Sequence, residues 1–436
     1  MNRPATQRKR APYSKYKASG VEWLGNLPAH WETLRLKYCA DLVNDKVDAC
    51  ESDLPYTGLE HIESWTGRRI DPNEEVSSDG QANHYKAGDV LFAKLRPYLA
   101  KVLCAEKEGI CTGELLVLRS RRVLPDYLFN YMLARDFVFV VNSSTYGAKM
   151  PRASWEFIGN LPMTVPPLPE QRAIAAFLDR ETARIDALIE KKQRQIELLQ
   201  EKRSALITHA VTKGLDPNAK MKDSGIEWMG KIPAHWEVIP IKRVARMDSG
   251  HTPDKKIEEY WTDCNIPWVS LSDTAYLKNH DYIDDTAYHV NDLGLANSSA
   301  HILPARAVVF TRDATIGLSA ITTRPMAVSQ HIIAWLCGSR IIPEYLLSVF
   351  YSMTQELERL CMGSTIRTLG MPDVLELVTP LPPVNEQEQI IRALSEELPQ
   401  ILSLVSKVQM SIEMLREYRA TLISAAVTGK IDVRST

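Results

Sequence analysis

Basic and hydroxyl side chains gather at matching places in the two halves of this 436-residue chain. Lys94, Arg96 and Tyr98 follow the apolar run Val90–Phe92, and Ser144, Tyr146, Lys149 and Arg152 surround Gly147. In the second half Thr311, Arg312 and Thr315 follow a similar run, and Ser364, Thr365 and Arg367 surround Gly363. Arg and Lys donate to phosphates and to guanine edges, while small hydroxyl side chains suit phosphates or bases. Such residues recognise a ligand without making or breaking bonds. The competing reading of each one is an ordinary solvated loop, and the positional match of the two sets favours recognition.

Residues arranged for catalysis are not found. The sequence holds no GxxxxGK[ST] phosphate loop, no GxGxxG and no HExxH, and its seven cysteines include no CxxC pair. His30 and His235 recur, each between Pro-Ala and Trp-Glu, but no nucleophile or metal partner recurs with them. A packing or capping role is expected for both, and Trp23, Trp31, Trp228 and Trp236 are read as apolar anchors. No catalytic residue, metal site or bound cofactor is expected in this chain.

Composition narrows the class further. The chain has 52 basic and 54 acidic residues, a net charge of −2, so any anion-binding surface must come from local clustering. Its 45% hydrophobic and 24% charged content is that of a globular protein, and its length suggests two to four domains. No apolar run approaches the roughly 20 residues that cross a bilayer, so no membrane association is expected. MNRPATQRKR lacks an apolar stretch, so no secretory signal is expected. Unpaired, scattered thiols point to a reducing, cytoplasmic setting. Residues 1–18 form a basic tail (Arg3, Arg8, Lys9, Arg10, Lys15 and Lys17), either solvated or a phosphate-touching arm.

The elements that carry the two loop sets come from an internal duplication. SGVEWLGNLPAHWE at residues 19–32 returns as SGIEWMGKIPAHWE at 224–237, with ten of fourteen positions identical. PPLPEQRAIAAFL from Pro166 returns as PPVNEQEQIIRAL from Pro382, and this offset of 216 holds to Asp216 and Asp432. The segments between, about 33–165 and 238–381, mix short β-rich runs with turns and a few helices, which predicts two small domains of related fold and different surface. GDVLFAKLRPY from Gly88 resembles ARAVVFTRDAT from Ala305, and Pro125–Leu128 resembles Pro343–Leu346.

Each copy ends in about forty residues with a 3-4 apolar spacing sustained over more than four heptads. Leu178, Thr182, Ile185, Ile189, Lys192, Ile196, Leu199, Arg203, Leu206 and Ala210 mark the first seam. Leu394, Leu398, Ile401, Val405, Val408, Ile412, Leu415, Arg419, Leu422 and Ala426 mark the second. This predicts coiled-coil helices, about 60 Å long at 1.5 Å per residue. Pro-Pro pairs fix their starts, and Gly214 and Gly429 stop them. Pro399 is expected to kink or divide the second helix. Two seams in one chain satisfy each other, which favours an antiparallel intramolecular pair over a coiled coil shared between two copies. That pairing would set the two variable domains at opposite ends, related by a pseudo-twofold.

The expected fold is therefore α+β: two mixed recognition domains joined by two long helices in an antiparallel coiled coil. The expected segments are the tail 1–18, a first domain 19–165, a spacer helix 166–214, a second domain 215–381, a second spacer helix 382–428 and a C-terminal tail 429–436.

The Trp23–Trp31 and Trp228–Trp236 motifs, the PPxxEQ helix starts and the two unlike domains between them resemble one family. They are similar to the DNA-specificity subunit of Type I restriction–modification systems, over about residues 19–432. The resemblance implies two target recognition domains, each reading one half of an asymmetric, bipartite site in double-stranded DNA. It further implies that the helices space these domains and dock two methyltransferase subunits, with two restriction subunits joining them. S-adenosylmethionine, ATP and Mg would belong to those partners, and this chain would be non-catalytic. A two-headed protein-interaction scaffold is the alternative; near-neutral charge suits it, and the matched basic loops speak against it. A self-sufficient modifying enzyme lacks any catalytic motif to support it.

Overall fold

Each copy of the short tryptophan motif folds as a two-stranded antiparallel ribbon, Tyr16–Ala18 against Asn26–Pro28 and Met221–Asp223 against Lys231–Pro233. The computed structural model describes residues 12–70, 80–147, 150–361 and 367–434. The chain divides into two compact units, Met1–Gln193 with Gln409–Thr436, and Arg194–Val408. Each unit holds one variable domain, the start of one long helix and the end of the other.

The strand after each ribbon closes its variable domain. Glu32–Arg35 pairs antiparallel with Pro162–Val165, and Glu237–Pro240 pairs with Val378–Leu381. Register is the same in both, Arg35 opposite Pro162 and Pro240 opposite Val378. In the first unit the central sheet runs Ala40–Val43, Leu115–Ser120, Val90–Ala93, Val102–Cys104. In the second it runs Ala245–Ser249, Ile332–Cys337, Val308–Thr311, Ser319–Thr322, with Tyr282–Ile283 added at the edge. Val90–Ala93 and Val308–Thr311 are buried along their whole length, which explains their unbroken apolar character. The strand offset here is 218 residues. Lys94 is thus equivalent to Arg312 and Arg96 to Ala314, one step away from the alignment of GDVLFAKLRPY with ARAVVFTRDAT. Apolar runs alone do not fix register, because a one-residue slip keeps the run apolar.

Helices Pro125–Met132 and Pro343–Ser352 start at proline and bury a tyrosine in the core. The Tyr127 hydroxyl is 3.0 Å from the Val427 carbonyl, and that of Tyr345 is 3.2 Å from the Val211 carbonyl. Each buried phenol thus meets the last turn of a long helix within its own unit, and burial holds both well above the usual tyrosine range. All seven cysteines are free thiols. Burial pushes Cys39 up to about 11 and Cys111 up to about 12, so neither is a reactive thiolate near neutrality.

The repeated His-Trp and Glu-Gln motifs form one device. In the first unit the Trp31 indole N–H donates to Glu170 Oε2 at 2.9 Å, with His30 Nε2 2.6 Å from Oε1 and the Tyr13 hydroxyl 3.2 Å from Oε2. In the second, Trp236 donates to Glu386 at 3.0 Å and His235 lies at 2.9 Å. The carboxylate sits in the first helical turn, where the helix dipole favours it. The following glutamine ties the helix start to the domain. Gln171 donates to the Pro166 carbonyl and accepts from Leu124 N–H; Gln387 donates to Pro382 and accepts from Ile342. His30 and His235 are therefore structural.

The long helices are Leu168–Lys213 and Val384–Val427. In the first unit Ile174, Phe177, Leu178 and Ile185 share a core with Leu422, Ile423, Ala426 and Val427. In the second, Ile207, Ala210 and Val211 share one with Ile390 and Leu394. Start packs against end in both units, so the pair is antiparallel. The seam positions are buried or half-buried throughout. Two of them are arginines, and each fastens a domain to its helix. Arg419 makes a buried ion pair with Asp186 at 3.0 Å and donates to the carbonyls of Trp65 and Thr66. Its counterpart Arg203 lies over the Tyr351 ring, 5.3 Å from its centre. Gly429 and Gly214 end the helices with φ of +70° and +73°. A Cβ at Gly429 would lie 2.4 Å from Pro28, so glycine is required there for space as well as backbone.

Pro399 does not divide its helix. The second helix continues through it, and the ring faces outward on the exposed side. One backbone hydrogen bond is lost, and the freed carbonyl is on the side open to water.

Candidate nucleic-acid interface

The first loop set converges because two segments pair beyond the central sheet. Tyr146 and Arg152 bridge each other, and Arg152 also bridges Leu95. Arg96 N–H donates to the Pro151 carbonyl at 2.8 Å, and Ala153 N–H to that of Lys94 at 2.9 Å. Lys94, Arg96, Tyr98, Tyr146 and Arg152 therefore share one loop surface. Arg96 and the tips of Tyr98 and Tyr146 are exposed. Arg96 holds a left-handed backbone, φ +49°, at the mouth of a short 3-10 turn. Arg152 grips Glu114 through Nε and Nη2 at 3.1 and 2.9 Å, so its fork is oriented rather than free. The Ser144 hydroxyl turns back to the Val141 carbonyl at 2.7 Å, which spends its donor on a helix end. Lys149 lies outside the described residues.

The second set is built on the same frame with other side chains. Ala314 has φ +62°, and its N–H donates to the Arg367 carbonyl at 2.9 Å. Asp313 bridges Thr368, as Leu95 bridges Arg152. Arg312, Thr315 and Arg367 are thereby brought together, with Thr315 and Arg367 exposed. A strained left-handed residue at one position of both domains is costly, about 1 kcal/mol, and such strain concentrates at functional loops. Thr311 is a correction. It is fully buried, its hydroxyl donating to the Thr315 carbonyl and accepting from Leu318 N–H, so it shapes the turn from within. Ser364 and Thr365, with Gly363, lie outside the described residues.

Sequence reasoning missed the residues that brace these loops. His331 holds the place of Glu114, since Arg312 N–H donates to the His331 carbonyl and Lys94 N–H to that of Glu114, both at 3.0 Å. His331 Nδ1 is 2.5 Å from Asp313 Oδ2. The available signal was position: both residues stand directly before a legible β-run, Leu115–Leu118 or Ile332–Trp335. No group of three or more His, Cys, Asp or Glu placed to hold a metal occurs among the described residues. No helix among them is long and apolar enough to cross a membrane.

The family model for the Type I restriction modification DNA specificity domain matches twice, at residues 30–198 and 233–404. The chain belongs to this Type I DNA-specificity family. Each match covers one copy of the duplicated unit, in keeping with two recognition domains. Among relatives of this specificity family, the Type I restriction enzyme MjaVIII specificity subunit of Methanocaldococcus jannaschii is 24% identical over 94% of this chain and 95% of that protein. The MjaIX specificity subunit of the same organism is 31% identical over 38% of this chain and 39% of its own length. A solved structure described as the structural basis of complex assembly and conformational transition of the type I R-M system aligns with a TM-score of 0.71. It covers 92% of this chain and 98% of that one at 18% identity, a likeness of fold.

Proposed function

We propose that this chain is the non-catalytic, sequence-reading subunit of a Type I restriction–modification complex acting in the cytoplasm. Each target recognition domain reads one half of an asymmetric, bipartite site in double-stranded DNA. The domains are taken as 19–165 and 215–381, and the helical segments 166–214 and 382–428 space them and dock partner subunits. Methyltransferase subunits, expected as two, supply S-adenosylmethionine and adenine methylation; restriction subunits, also expected as two, supply ATP and Mg chemistry. The observation carrying this reading is one loop frame presented twice with different side chains: Lys94, Arg96 and Arg152 in one domain, Arg312, Ala314 and Thr368 in the other. Duplication in one chain lets the half-sites differ, which a symmetric dimer does not. A partner that extrudes its target base spends unstacking energy best offset after both half-sites are bound.

The test is methylome sequencing of cells producing the full chain with its methyltransferase subunit. A two-part motif carrying methylated adenine is expected, while the purified chain alone neither methylates nor cuts. Arg96→Ala and Arg367→Ala are each expected to relax a different half-site, by about 1–3 kcal/mol per lost base contact. A methylome without any two-part motif overturns the reading in favour of a protein scaffold.

A further inference from the structure

A chain of hydrogen bonds starts in a cleft of about 840 Å³ in the second domain, whose lining includes His331, the residue whose carbonyl accepts from Arg312 N–H. The Thr252 hydroxyl donates to Gln330 Oε1 at 2.5 Å, Gln330 Nε2 lies 3.2 Å from His331 Nε2, and His331 Nδ1 lies 2.5 Å from Asp313. His331 Nδ1 donates to the Asp313 carboxylate, and the Gln330 amide nitrogen faces His331 Nε2. The amide is held at both ends, oxygen toward Thr252 and nitrogen toward His331. One N–H and one oxygen lone pair of Gln330 remain uncommitted among the described residues. Ser329 lines the same cleft, and its buried hydroxyl has no partner among the described residues. Such a group is one that a bound polar ligand would satisfy.

We infer that Gln330 is a base-reading residue of the second domain, presenting an oriented donor–acceptor pair to an adenine edge in the major groove. This rests on the DNA-reading function proposed above. A glutamine amide matches adenine N6 and N7 in a bidentate pair, and an amide held by partners at both ends has less freedom to lose on binding. His331, Asp313 and Thr252 act as positioning residues. The first domain carries Gly113 at the equivalent place, beside the Glu114–Arg152 pair. The two half-sites are thus read by different groups at one position of a shared frame.

The experiment uses the full chain with its methyltransferase and the duplex defined by the wild-type methylome, each base pair of both half-sites replaced in turn. Gln330→Ala is expected to lose discrimination about tenfold or more at one A·T pair of one half-site, leaving the other half-site unchanged. Gln330→Glu, which replaces the donor by an acceptor, is expected to shift that position from adenine toward cytosine. Unaltered discrimination at every position in both variants overturns the assignment, as does an even loss across all positions. A wild-type chain that yields no two-part motif defeats the function reading itself, so the two failures are distinct.

Discussion

Glu170 shows how much one residue type can do when its spacing repeats. Two donors from one motif and the Tyr13 hydroxyl converge on a carboxylate that stands only 9% exposed, while its counterpart Glu386 has the two motif donors alone among the described residues and stands 24% exposed. Removing a donor from a buried charge costs more than removing it from a wetter one. Trp31→Phe is therefore expected to lower unfolding free energy by about 1.5–3 kcal/mol, and Trp236→Phe by less, measured as shifts in denaturant midpoint. Equal losses would mean that the indole N–H bonds do not govern the difference. The role of His30 and Trp31 was half legible from sequence. Recurrence without a recurring nucleophile marked them as structural, but their partner stands 139 residues beyond Trp31, and no local pattern points to it. The candidate loops were picked out by residue type, and residue type does not give orientation. Thr311 ends a strand buried along its whole length, and Arg312, the first residue past it, is partly open.

The long helices were the clearest elements, since a heptad seam with proline before it and glycine after it specifies both periodicity and ends. The pattern pointed to a kink or a division at Pro399, and the helix is not divided there. A proline disrupts a helix by clash and by a missing donor, and on an open face packing along the opposite seam carries the helix past it. Pro399→Ala restores one backbone hydrogen bond and a good helix former without disturbing a buried contact. It is expected to stabilise the chain by up to about 3 kcal/mol, read as a rise in thermal midpoint. An unchanged or lowered midpoint would show that the missing hydrogen bond at this residue costs the helix nothing. The seam arginines were legible only as irregularities in an apolar row. Their use, fastening domain to helix through Asp186 or Tyr351, depends on residues that meet them only after folding.

At the scale of the molecule, two copies of one plan let the helices act as a ruler in the proposed function. One heptad added to each helix, about 10 Å, is expected to lengthen the unread gap of the methylated motif by about three base pairs. Both half-site sequences should persist in the methylome. Altered half-sites with the old gap would remove the ruler from the mechanism. The division into units carries a different consequence. The second unit is one continuous stretch, Arg194–Val408, whereas the first takes its closing helix turns from Gln409–Thr436. At ordinary synthesis rates the earliest-made domain waits roughly 10–40 s on the ribosome for the piece that finishes it. The later-made domain needs no such wait and is complete first. A nonsense codon just past Val408 would therefore spare the second half and leave the first, already translated, without its closing turns.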